Sequence, residues 1–135
     1  MMYKSENTVR VRYSETDQMG YCYYGNYAAF FEVARVEALR KLGMTYKQME
    51  LDGIAMPVLE YQIKYYKPAF YDDIIRIETT IDEMPNVRIY FSYKCYNEKN
   101  ELINEAKTSL VFVSMTTGKP CVAPEHFLKA LKEFY

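Results

Sequence analysis

From residue 25 to residue 42 apolar side chains recur every three to four positions. Tyr27, Phe30, Phe31, Ala34, Ala38 and Leu42 share one stripe, while Glu32 and Arg40 fall off it. That spacing predicts a long amphipathic helix over 25–42, stopped by Gly43. Thr45 then caps a short second helical segment, TYKQMELDG, that ends at Asp52 and Gly53. Beyond it the period changes to two. Segments 57–69, 72–84, 86–100 and 101–115 are rich in Val, Ile, Thr, Tyr and Phe, with turn residues at 84–86, 97–100 and 116–119. The third segment alternates most cleanly: Val87, Ile89, Phe91, Tyr93 and Cys95 share one face, and Arg88, Ser92 and Lys94 the other. With VRVRY at 9–13 as a first strand and a short helix closing the chain, the pattern is strand, long helix, then four antiparallel strands. An economical arrangement is α+β, with a curved antiparallel sheet wrapped around the one long helix and burying its stripe.

Length changes this picture little. At 135 residues the chain is near the commonest domain size, so one domain over 1–135 with a substantial core is expected. The strands carry apolar or aromatic residues on both faces in places, as at Tyr65 beside Tyr66 and Ile74 beside Ile75. Surface of that kind predicts a homo-oligomer, a dimer or a dimer of dimers (a homotetramer).

Charge and composition mainly exclude. The formal net charge is −1 with no block of like charges, so nothing supplies the field that nucleic acid or an anionic membrane requires. No apolar run approaches the roughly 18 residues of a spanning helix, and the first residues lack an apolar leader, so a cytoplasmic protein is expected. The three cysteines are widely spaced with no CxxC pair, which suits reduced, mostly buried thiols. One histidine, His126, cannot build a two-His zinc motif, so no metal is expected. Phosphate-binding loops and the nucleophile elbow GxSxG are missing as well.

Candidate chemistry concentrates in RYSETDQMGYCYYGNYAAFFEVAR, residues 12–35. A lone carboxylate, Asp17, precedes the long helix and sits among tyrosines. An acid so placed can be a turn residue that hydrogen-bonds nearby backbone. It can also be a nucleophile or general base facing the unpaired N–H groups of a helix start, which carry partial positive charge. Glu32 and Arg35, three apart, read as a structural pair on the helix.

The segment YSETDQMGYCYYGNYAAFFEVAR resembles the active-site segment of the hot-dog-fold acyl-CoA thioesterases, in particular the 4-hydroxybenzoyl-CoA thioesterase family. The resemblance rests on Asp17, Gly20, Tyr27, Phe31, Glu32 and Arg35, and continues through YYKPAFYDD at 65–73 and LVFVSMTTGKP at 110–120. It implies the hot-dog fold and hydrolysis of a short-chain or aromatic acyl-CoA to free acid and CoA. It also implies Asp17 as nucleophile or base, with the helix start at Tyr24 and Gly25 holding the oxyanion. Gly20, Tyr21, Tyr27 and Phe31 would then line the acyl slot, and Lys64, Lys67, Arg88 and Lys119 are candidate contacts for coenzyme A. Coenzyme A enters as part of the substrate, and no separate cofactor is implied. Many relatives carry His where this chain has Tyr24, a change that leaves the acyl preference open. A non-catalytic acyl-binding module on the same fold is the alternative. A dehydratase of this fold ordinarily wants a His beside its acid, and His126 lies far down the chain.

Overall fold

The computed structural model of the chain describes residues 2–135. In order, its main elements are β1 (Lys4–Arg10), α1 (Asn26–Lys41), α2 (Tyr46–Leu51), β2 (Ile54–Ala55), β3 (Val58–Tyr65), β4 (Ile74–Ile81), β5 (Arg88–Tyr96), β6 (Leu102–Val111), β7 (Val113–Ser114) and α3 (Glu125–Leu131). Five strands form one antiparallel sheet in the order β1-β4-β5-β6-β3, and β2 pairs with β7 in a small separate ribbon. The sheet covers α1, giving the helix-wrapped α+β architecture of the hot-dog fold.

The apolar stripe of α1 faces the sheet. Tyr27, Phe30, Phe31, Ala34 and Ala38 are buried, joined by Leu39 and by Arg35. Opposite them β5 presents Ile89, Phe91, Tyr93 and Cys95, all buried, as its alternation requires. The helix stops where Gly43 takes φ +83°, a left-handed position that suits glycine, and Thr45 caps α2 by accepting from the Gln48 N–H at 3.0 Å.

Three sequence expectations are corrected. The first strand spans Lys4–Arg10, and residues 13–15 form a turn of 3₁₀ helix instead of the end of a strand. The inward positions Ser5 and Asn7 are polar, so hydrophobic alternation becomes visible only at Val9, after most of the strand has passed. Glu32 and Arg35 make no ion pair with each other among the described residues; the i, i+3 pair on α1 is Glu37 with Arg40, at 3.5 Å. Arg35 turns inward, donating to the hydroxyls of Tyr46 at 3.3 Å and Tyr93 at 3.1 Å, while Tyr93 also bonds Thr108 at 2.7 Å. The strand expected over 101–115 also breaks at Phe112, whose buried ring ends β6 before β7 begins.

Candidate active site

The segment between β1 and α1 folds back on itself before the helix begins. Asp17 and Gly20 close a tight turn, with the Gly20 N–H donating to the Asp17 carbonyl at 2.9 Å and Gly20 at φ +81°. The turn is anchored to the sheet side by the Cys22 N–H donating to the Ala69 carbonyl at 2.7 Å, and by a Tyr21–Phe70 edge-to-face contact at 5.6 Å. At its other end Glu15 fixes the approach. Its carboxylate accepts from the Arg12 backbone N–H at 2.7 Å and guanidinium at 3.0 Å, and its carbonyl accepts from the Asn26 side chain at 2.7 Å. Burial would raise the Glu15 carboxyl, but the bonds from Arg12 outweigh it and hold the group below its usual range. Through Asn26, the first residue of α1, the acid-bearing turn and the helix start are tied into one unit.

Within that unit Asp17 is half-buried, and one of its oxygens, Oδ1, accepts the backbone N–H groups of Met19 at 2.9 Å and Tyr21 at 3.1 Å. Those bonds set the side chain's direction and leave Oδ2 uncommitted. Across from it α1 begins without a side-chain cap at Gly25. Asn26 and Tyr27 donate back to the carbonyls of Tyr23 and Tyr24, but the N–H groups of Tyr24 and Gly25 have no protein acceptor among the described residues. An uncapped helix start offers such donors together with the positive end of the helix dipole. A Cβ at 25 would lie 2.6 Å from the ring of Tyr23, so a larger residue there would have to displace that exposed ring.

Between the turn and the helix start lies a cleft of about 280 Å³ lined by Asp17, Met19, Tyr21, Cys22, Tyr24, Tyr27, Tyr65, Tyr66, Lys67 and Pro68. Half of its lining residues are tyrosines. Tyr27 and Tyr65 meet edge to face at 5.7 Å, and the Tyr65 hydroxyl donates to the Tyr24 carbonyl at 3.4 Å. The Tyr24 ring lies tilted against that of Tyr23, with centroids 4.6 Å apart, and is largely exposed. Cys22 contributes no thiolate, because burial pushes its thiol up to about 11.

Asp17, Tyr21, Tyr24 and Tyr27, named from the sequence, thus meet around one cleft, while Gly20 and Gly25 belong to the turn and the helix start and do not line it. Phe31 does not reach it: the ring is fully buried behind Tyr27, stacked on Tyr93 at 4.4 Å. Of the basic candidates only Lys67 lines the cleft, paired with Glu101. Lys64 leaves from the opposite face of β3 and lies over the ring of Tyr66 at 5.7 Å. Arg88 begins β5, at the end of the sheet away from the cleft, and Lys119 lies beside β7 at that same end. His126 is exposed on α3, near that far end as well. The sequence did not single out Met19, Cys22, Tyr65, Tyr66 and Pro68 as lining residues. The signal for the tyrosines was their place at the end of β3 opposite the glycine-rich turn, a long-range pairing that local spacing does not reveal.

Comparison with known proteins shows the family. Residues 11–131 match the family model of the thioesterase-like superfamily. The chain is 34% identical to a putative acyl-CoA thioesterase, YneP, of Bacillus subtilis over 99% of this chain and 94% of that one. It is also 34% identical to the acyl-CoA thioester hydrolase YbgC of Escherichia coli over 93% of each chain. Among solved structures, a DHNA-CoA thioesterase from Staphylococcus aureus superposes with a TM-score of 0.91 at 34% identity, covering 96% of this chain and 89% of that one. The chain belongs to the thioesterase-like superfamily. It is a thioester hydrolase of the hot-dog fold.

Proposed function

We propose that the protein hydrolyses short-chain or aromatic acyl-CoA thioesters, with Asp17 as the attacking or water-activating carboxylate and the start of α1 as the oxyanion site. The observation that carries this reading is the pairing, across one aromatic cleft, of an Asp17 oxygen free of backbone bonds with the unengaged N–H groups of Tyr24 and Gly25. A thioester carbonyl laid against those donors presents its carbon to Oδ2, or to a water held by it. As the tetrahedral centre forms, negative charge grows on the carbonyl oxygen, where preorganised donors stabilise it most. Collapse expels the thiolate of coenzyme A, and water supplies the second oxygen of the product acid. Among the described residues no helix is long and apolar enough to cross a membrane, and no cluster of His, Cys, Asp and Glu is placed to hold a metal. A screen of acyl-CoA esters graded in length and aromaticity, read by release of free thiol, should show turnover with a clear optimum. Failure of every ester, with one of them still raising the melting temperature, would favour an acyl-binding module instead.

The working form is a dimer in this reading. Among the described residues β3 pairs only with β6, and its free edge carries Val58, Leu59, Tyr61 and Tyr65, each between 39% and 47% exposed. A long, apolar, unpaired edge is normally covered, and two-fold pairing of β3 with its copy would cover it and wall the Tyr65 side of the cleft. Sedimentation equilibrium should give a mass of at least two chains; an active species at the mass of one would sink the proposal.

A further inference from the structure

Behind the cleft, on the sheet face turned toward α1, Tyr65, Asn104 and Cys95 stand side by side on β3, β6 and β5. Tyr65 is a wall of the cleft, and Tyr27 covers the same layer from the helix, in contact with Tyr65 and close to Cys22 and Cys95. Asn104 is fully buried, and neither Oδ1 nor Nδ2 has a hydrogen-bond partner among the described residues. The adjacent Cys95 thiol does not meet the amide with hydrogen-bond geometry, although the amide opposes part of the burial that raises that thiol to about 12.

A side-chain amide brings two donors and an acceptor with two lone pairs, and burying it unpaired costs stability that an aliphatic side chain of similar size would not. Its inward neighbours on β6 behave differently: Ala106 has nothing to satisfy, and Thr108 is paired with Tyr93. The unmet amide therefore lies directly behind the cleft, beside its Tyr65 wall. A thioester whose carbonyl rests at the start of α1 points its acyl chain inward along Tyr65 and Tyr27. Asn104 is one strand further in, about 5 Å from the Tyr65 backbone. Tyr65 is 43% exposed on the sheet edge and is held by one long hydrogen bond to the Tyr24 carbonyl, at 3.4 Å. The amide is fully buried beside that ring, so a substrate oxygen reaches it only with Tyr65 turned aside.

We propose that Asn104 is a specificity-determining residue that hydrogen-bonds an oxygen at the distal end of the acyl group, a hydroxyl carried by a ring or a short chain. This rests on the thioester-hydrolase reading above and narrows its substrate class. Apolar acyl groups of equal size fill the same slot but leave the amide unmet, so they are discriminated against in kcat/KM. A site built to bond a substrate hydroxyl rejects the analogue without it far more strongly than an apolar slot rejects an added hydroxyl.

The test compares matched thioesters: 4-hydroxybenzoyl-CoA against benzoyl-CoA, and 4-hydroxybutyryl-CoA against pentanoyl-CoA. Wild-type protein should favour the hydroxylated member of at least one pair by about tenfold or more in kcat/KM. In Asn104→Leu that preference should fall to within about twofold of unity, with turnover of the apolar member retained and the melting temperature not lowered. Asn104→Ala reads the same ratio if the leucine variant does not fold. Equal rates within both pairs for wild type would overturn the proposal, as would an undiminished preference in the variants. A parallel loss on both members of a pair would also overturn it, by marking Asn104 as structural. Absence of thiol release from all four esters in the wild type would instead remove the hydrolase reading, and this inference with it.

Discussion

Asp17→Asn should lower kcat for thioester hydrolysis by at least about 10³-fold while leaving the melting temperature within a few degrees of wild type. The substitution is chosen because the two roles of Asp17 reside on different oxygens. Oδ1 holds the turn by accepting from Met19 and Tyr21, and an asparagine oxygen can accept the same two bonds. What the amide cannot do is attack a carbonyl carbon or take a proton from water. A residue that serves only as a turn acid would tolerate the change almost silently, so activity within about tenfold of wild type would remove Asp17 from the chemistry. Asp17→Ala makes the useful contrast. It deletes both roles, and it should add a loss of stability to the loss of turnover. The residual rate in Asp17→Asn would report what the Tyr24 and Gly25 donors achieve alone, since oxyanion stabilisation survives the loss of the attacking group.

The acid and the helix start were legible in the sequence because both are local. A carboxylate, a glycine three residues on and the beginning of a 3.6-residue apolar period all lie within ten residues, and the structure keeps them within one hydrogen-bonded unit through Glu15 and Asn26. The helix itself was placed to within a residue at each end for the same reason. The remainder of the site depends on which strand lies beside which. Tyr65 and Tyr66 reach the cleft because β3 runs along the sheet edge next to β6, and nothing in the spacing of YYKP reveals that. Position near a turn does not bring the basic residues to the cleft, Lys67 excepted. Lys64 belongs to the opposite face of its strand by simple alternation, while Arg88 and Lys119 belong to the other end of the sheet. Arg35 misled in another way. Its charge marked it for the surface beside Glu32, yet two phenols, Tyr46 and Tyr93, satisfy its guanidinium inside the fold.

Phe31 supplies the sharpest separation between slot and core, and Phe31→Ala should cost about 3–5 kcal/mol of folding stability. The ring is wholly buried, stacks on Tyr93 at 4.4 Å, and meets Tyr61 and Tyr27 at 6.1 and 6.2 Å. Those neighbours are poorly able to close over a void. Tyr93 is fixed by Arg35 and Thr108, and Tyr27 is held against Phe30 and Tyr65, so most of the cavity should persist and the loss should fall toward the upper end of the range. Against a total of about 5–15 kcal/mol for a typical domain this is a large fraction, equivalent to roughly 10–20 °C in melting temperature. Phe31→Leu, which keeps most of the volume, should cost about 1.5 kcal/mol or less. Had Phe31 lined the acyl slot, the alanine variant would instead enlarge the slot at little structural cost and shift acyl preference toward larger groups. Chemical denaturation and a two-ester comparison on the same samples distinguish these outcomes. An unaltered melting temperature with a changed acyl preference would return Phe31 to the substrate wall and require the cleft to extend past Tyr27 into the core.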